Sequence, residues 1–141
     1  MQLTPYITFD GTCEEALNFY AKALDGEIQN LMRFEGSPAE NMSPGDKQKV
    51  LHAHFKAGEV FFMASDAGDR GKDAPPMPSD SGMVHLSLNM ESDDQLNKVF
   101  NALGEGGKVT MPLQDTFWGA RFGMLQDKFG INWMFNLEKN K

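Results

Sequence analysis

Few residues in this chain could do chemistry: three histidines, His52, His54 and His85, and one cysteine, Cys13. His52 and His54 are two apart in a segment of strand formers, Val50 to Ala57, so their side chains share one face. Two imidazoles are half of a metal site, and a catalytic or structural centre needs three or four donors. With His85 and an acidic residue they could complete one. The alternative, preferred here, is that they are ordinary strand residues bonding within the sheet or at an interface. His85 alternates with an apolar set, Val84, Leu86, Leu88 and Met90. That set should meet a helix, leaving His85, Ser87 and Asn89 on the opposite face. There His85 is either a pocket group or a hydrogen-bonded polar residue, and the spacing leaves both open. Cys13 falls at a helix start, where a thiol pKa drops, but Glu14 and Glu15 oppose that and a capping role is the better reading. Those acids and Asp93-Asp94 read as helix-start charges that complement the helix dipole, not as a catalytic carboxylate pair.

Aromatic residues crowd the last third: Phe117, Trp118, Phe122, Trp133 and Phe135. Trp133 and Phe135 alternate against Asn132, Met134 and Asn136, which places them in the core. Trp118 follows a loop and is expected to begin a strand as a pocket wall, with Phe122 nearby. Ten methionines suit an adaptable apolar lining. Trp118 and His85 together would offer one large apolar surface and one switchable polar group.

The elements that must position these residues are legible. Leu3 to Phe9 reads as a strand. Ala16, Phe19, Tyr20, Ala23 and Leu24 recur at helical spacing, and Gly26 is expected to close that helix in the left-handed conformation. Ile28 to Phe34 is a strand and 35–48 a long loop. Val50 to Ala57 and Glu59 to Ala64 form a hairpin about Gly58. Residues 67–82, rich in Gly, Ser and Pro, read as a linker. Met83 to Met90 is a strand, followed by a helix with its apolar face on Leu96, Val99, Phe100 and Leu103. Short strands follow near Lys108–Met111, Gly119–Gln126 and Asn132–Leu137. Leu17-Asn18 and Ala23-Leu24 match Leu96-Asn97 and Ala102-Leu103 at one constant offset. With the same element order twice, this argues for an internal repeat, about 1–66 and 83–141, within a single domain.

Composition bounds the partners. In 141 residues, 40% are hydrophobic and 23% charged, and the net charge is −7. Phosphate backbones and anionic membranes are bound by clustered Lys and Arg, so neither nucleic acid nor a membrane is an expected partner. The N-terminal residues lack the basic and apolar runs of a leader. No apolar stretch reaches the roughly 20 residues of a membrane span. A cytoplasmic protein is the expectation.

Several strings resemble the vicinal oxygen chelate superfamily, the glyoxalase and bleomycin-resistance fold, in its PhnB-like branch. They are Pro5 to Cys13, Glu15 to Tyr20, Leu24-Asp25-Gly26, Met63 to Asp66, Leu86 to Asn89, Gln114 to Trp118, and Phe122 through Met134. Thr116-Phe117-Trp118 and Asp127 to Trp133 are the specific ones. The resemblance implies an α+β fold, paired βαβββ units forming a cupped mixed sheet with helices on its outer face, and a homodimer. Metal-using relatives place four ligands on four strands, and here those positions fall on Pro5, Met63, His85 and Met134. A proline, two thioethers and one imidazole do not suit a divalent cation. The resemblance therefore implies a protein without metal or cofactor that binds a small molecule in its cup. The residues expected to do so are His85, Trp118, Met63, Ser87, Phe122 and Met134. The alternative is a metal-dependent glyoxalase-, lyase- or dioxygenase-type enzyme using His85 with His52 or His54. A methyltransferase finds no support in a strand followed by a glycine-rich turn, since Gly104-Glu105-Gly106-Gly107 follows a helix.

Overall fold

The computed structural model describes residues 1–68, 73–75 and 83–139. The linker expected over 67–82 lies largely outside these residues. The chain divides into two compact units, Met1–Met77 and Pro78–Lys141.

The first unit runs β1 (Tyr6–Phe9), α1 (Cys13–Leu24), β2 (Glu27–Arg33), a single 3-10 turn (Glu40–Met42), β3 (Val50–Ala57) and β4 (Val60–Asp66). Its sheet has the order β1-β4-β3-β2, with β1 parallel to β4 and the other pairs antiparallel. The second unit runs β5 (Leu86–Asn89), α2 (Asp93–Gly104), β6 (Lys108–Asp115), β7 (Ala120–Gln126) and β8 (Asn132–Glu138). Its order is β5-β8-β7-β6, again with the first strand parallel to the last. Each unit is thus a βαβββ motif, and the fold is α+β.

In each unit the helix buries one face against the sheet. Ala16, Leu17 and Tyr20 of α1 are fully buried. Tyr20 meets Phe55 and Phe62 edge-on, and those two rings stack at 4.9 Å. Leu17, absent from the expected face, takes the central place while Phe19 and Leu24 lie at its margins. In the second unit Leu96, Val99, Phe100 and Leu103 are buried with Leu125, Trp133 and Phe135, as their spacing predicts.

The helix ends differ from expectation in instructive ways. Thr12 makes no side-chain cap on α1. Asp66, at the end of β4, accepts the Cys13 amide at 2.9 Å instead. Ser92 caps α2 by accepting from the Gln95 amide at 3.1 Å, while Gln95 Oε1 accepts at 2.8 Å from the amide of Glu91, the residue before the cap. At the end of α1 it is Asp25, not Gly26, that is left-handed, with φ 55°. Gly26 is needed for space: a Cβ there would lie 2.7 Å from the Lys56 carbonyl oxygen and 2.8 Å from the Phe55 ring.

Three strands also shift. β1 begins at Tyr6 and β5 at Leu86, both later than expected, whereas β6 continues to Asp115. Pro112 lies within β6, which a terminal strand tolerates because its outer edge needs no ladder donor.

Candidate functional site

Each sheet has one face under its helix and one opposite face. Among the expected site residues, Ser87, Met134 and Phe122 come together on the second unit's open face. Ser87 aligns with Met134, Met134 pairs with Met124, and Met124 with Met111. The adjacent row is Asn89, Asn136, Phe122 and Gln114. The helix-facing residues between them, Trp133 and Phe135, are buried, so alternation separates core from face as expected.

Trp118 touches this face at its margin. Its ring lies edge-on to Phe122 at 6.2 Å between centroids. It does not begin a strand: it sits in the turn between β6 and β7, which Thr116 closes by accepting the Ala120 amide at 3.1 Å. Trp118 is 58% exposed and Phe117, packed against it, 97%.

His85 precedes β5 and is partly exposed. Leu86 aligns with Trp133, Trp133 with Leu125 and Leu125 with Val109, so His85 lies at the end of the sheet away from the β6–β7 turn. Strand rise and spacing separate His85 from Trp118 by roughly 20 Å. The expected partnership of imidazole and indole within this unit is therefore corrected: they occupy opposite corners of one sheet.

A hollow of about 260 Å³ adjoins the face, lined among the described residues by Asn89, Met90, Asn136 and Glu138. Sequence reasoning placed Asn89 and Asn136 in phase with Ser87 and Met134 but did not name them as site residues. Their signal was that same alternation, continued one step along β5 and β8.

Met63 belongs to the first unit. It aligns with Tyr6 on β1 and pairs with His54 on β3. His52 pairs with Met32 on β2. Tyr6 OH lies 3.3 Å from His52 Nδ1, and Asn30 Nδ2 lies 3.2 Å from His54 Nδ1. The two imidazoles meet edge-on at 5.0 Å, and Phe61 flanks His54 at 5.5 Å.

The fit to a divalent metal can now be judged position by position. Pro5 shares the phase of Ile7 and the buried Phe9. The β1 residue beside Met63 is Tyr6, not Pro5. A phenol and a thioether in one unit, and an imidazole or hydroxyl with a thioether in the other, do not make the nitrogen and oxygen set that Zn²⁺, Ni²⁺ or Fe²⁺ requires. Among the described residues, no group of three or more His, Cys, Asp and Glu side chains is placed to hold a metal.

Three further sets of ionisable groups are structural. Cys13 is fully buried, and burial, reinforced by the charges of Asp66 and Glu14, pushes its thiol up to about 12. It is therefore no nucleophile. Arg33 forms a two-pronged pair with Glu14 at 3.0 and 2.9 Å, which holds the Glu14 carboxyl below its usual range. Lys139 does the same for Asp93.

A family model described as 3-demethylubiquinone-9 3-methyltransferase matches residues 1–135. Protein YjdN of Escherichia coli (strain K12) is 33% identical over 150 residues, covering 100% of this chain and 98% of that one. The crystal structure of protein PA1353 from Pseudomonas aeruginosa is 40% identical, covers 99% of each chain and superposes with a TM-score of 0.81. The PhnB protein from Bacillus cereus is 29% identical, covers 97% of this chain and 99% of that one, and gives a TM-score of 0.76. A glyoxylase/bleomycin resistance protein/dioxygenase domain from Frankia sp. EAN1pec shares the fold alone, at 19% identity, 99% and 93% coverage and a TM-score of 0.62. Among the described residues, no helix is long and apolar enough to cross a membrane. The chain belongs to the PhnB-like family covered by that methyltransferase-named model, and its fold is that of the glyoxalase/bleomycin resistance proteins.

Proposed function

We propose that the protein binds a small, partly apolar molecule on the open face of the second unit's sheet, without a divalent metal. The observation that carries this reading is the set Ser87, Met134, Met124 and Phe122 on adjacent strands, with Trp118 edge-on to Phe122. Thioethers and aromatic rings bury apolar surface of varied shape. Ser87, Asn89 and Asn136 supply the few polar groups that orient a ligand in such a site. His85, at the far end of the same sheet, remains a candidate contact, whereas Met63 belongs to the first unit and is not part of this face.

The methyltransferase description of the family finds little in these residues. The glycine run follows α2 rather than a strand, and Gly107 is needed there because a Cβ would collide with the Gln126 carbonyl. Its glycines serve packing, whereas a phosphate or adenosyl cradle uses a strand-to-helix turn.

A titration with 8-anilinonaphthalene-1-sulfonate tests the reading. Saturable binding with energy transfer from Trp118 is expected. Phe122→Ala and Met134→Asp should weaken it, with circular dichroism confirming that both variants fold. Binding that ignores both substitutions would overturn the proposal.

A further inference from the structure

We propose a second, independent site on the first unit: the open face of β2, β3 and β4 binds a soft monovalent cation, copper(I) by its chemistry. The ligands are His52, His54, Met63 and Met32. His54 stands directly opposite Met63, and His52 directly opposite Met32. Directly opposed residues keep their Cβ atoms about 4.5–5.5 Å apart. The two imidazoles, centroids 5.0 Å apart, thus each have a methionine opposite on a flanking strand, Met32 on β2 and Met63 on β4. Soft sulfur donors with imidazole select copper(I) over hard cations. The acid on this face, Glu27, lies opposite Lys56 and accepts from Gln29 Nε2 at 2.6 Å.

The backbone is bent to make this set. Continuing the register of Gln29 with His54 would put Leu31 opposite His52. An irregularity between Gln29 and Met32 inserts one residue, so Met32 takes that place. The bulge carries Asn30 at φ 52°, a conformation costly for a residue with a Cβ. Bulges re-aim side chains in this way next to sites. Asn30 also returns its amide to His54 Nδ1, as Tyr6 returns its hydroxyl to His52 Nδ1. With Nδ1–H donated to the Tyr6 oxygen, and to Asn30 Oδ1 after a half-turn of that amide, each Nε2 lone pair is free for the cation. Met32 is 51% exposed, so the ion can arrive from solvent.

The test is a copper(I) titration under ascorbate in degassed buffer, competing with bicinchoninate. Wild type should withdraw one copper(I) per chain, and Cys13→Ala should do the same because the buried thiol is not a ligand. The double variant His52→Phe, His54→Phe should withdraw none. Asn30→Gly keeps a residue suited to the bulge while deleting the amide, and should weaken binding about tenfold, as should Tyr6→Phe. Circular dichroism verifies that each variant folds. Folded wild type that withdraws no copper, or a folded double-histidine variant that withdraws as much as wild type, overturns the proposal.

Discussion

Asp66 Oδ1 accepts the Cys13 backbone N–H at 2.9 Å, so the last residue of β4 closes the first turn of α1. Its other oxygen accepts the Val50 amide, also at 2.9 Å. One buried carboxylate thus ties the start of a helix and the start of β3 to the end of β4. Removing it strands two buried donors, each costing about 1–3 kcal/mol. Asp66→Ala should therefore lower unfolding stability by about 2–5 kcal/mol in urea, with Asp66→Asn milder because its amide oxygen still accepts one of the two. A loss below about 1 kcal/mol for the alanine variant would mean that water replaces both bonds.

The buried thiol beside this carboxylate predicts a pH dependence. Cys13 rises from an ordinary 9.0 to about 12 in the folded protein. A folded pKa above the unfolded one gives stability that is complete below pH 9 and is lost as pH rises toward 12. Across that window the slope attributable to this group is about 1.4 kcal/mol per pH unit. Cys13→Ala should flatten the alkaline fall in stability by that amount, measured as the difference between the two proteins so that lysine and tyrosine titrations cancel. Native protein at pH 8 should also resist iodoacetamide, and urea should expose the thiol to it.

Helices were the most legible elements because their signals are local. The apolar spacing of Leu96, Val99, Phe100 and Leu103 lies within eight residues and is realised, and the Ser92 cap that starts the helix is equally local. The α1 cap was not legible, since its donor and acceptor are 53 residues apart. At the sites, alternation tells which face a strand residue takes but not which row. Alternation gave Ser87 and Asn89 one phase on their strand and Met134 and Asn136 one phase on theirs; that these rows align with each other and with Phe122 follows from the strand pairing. The separation of His85 from Trp118 depends on strand order, which puts β5 and β6 at opposite edges. The pairing of Met32 with His52 depends on a bulge at a non-glycine residue, for which the sequence carries no turn signal.

The two tryptophans should separate spectroscopically. Trp133 is buried and donates from Nε1 to Asp127 Oδ2 at 2.8 Å. Trp118 lies in an exposed turn. Acrylamide should quench a long-wavelength component that Trp118→Phe removes, leaving a blue, protected emission. If Trp118→Phe leaves the accessible component in place, this indole is shielded in solution.

A homodimer is expected on the resemblance and on the sheet edges. Within its own sheet each of β1, β2, β5 and β6 is a terminal strand with neighbours on one side. Unpaired edge groups invite pairing, and a two-fold arrangement covers the same edge on both copies. Light scattering at micromolar concentration should give twice the chain mass. A single-chain mass under those conditions would refute the expectation.

Divalent metal is expected to be absent from protein purified without a metal-affinity tag. The argument rests on donor chemistry. Met63 and Met134 hold two of the four strand positions that metal-using relatives fill with nitrogen or oxygen ligands. Pro5 is in phase with the helix side of β1, and Tyr6 stands beside Met63 in its place. Of the four positions His85 alone remains a good donor, and neither it nor the His52–His54 pair has, among the described residues, a set of three His, Cys, Asp or Glu ligands to retain Zn²⁺ through a desalting column. Elemental analysis should read well below one Zn, Ni, Fe or Mn per chain. Stoichiometric divalent metal in the wild type would show that the ligands come from other residues.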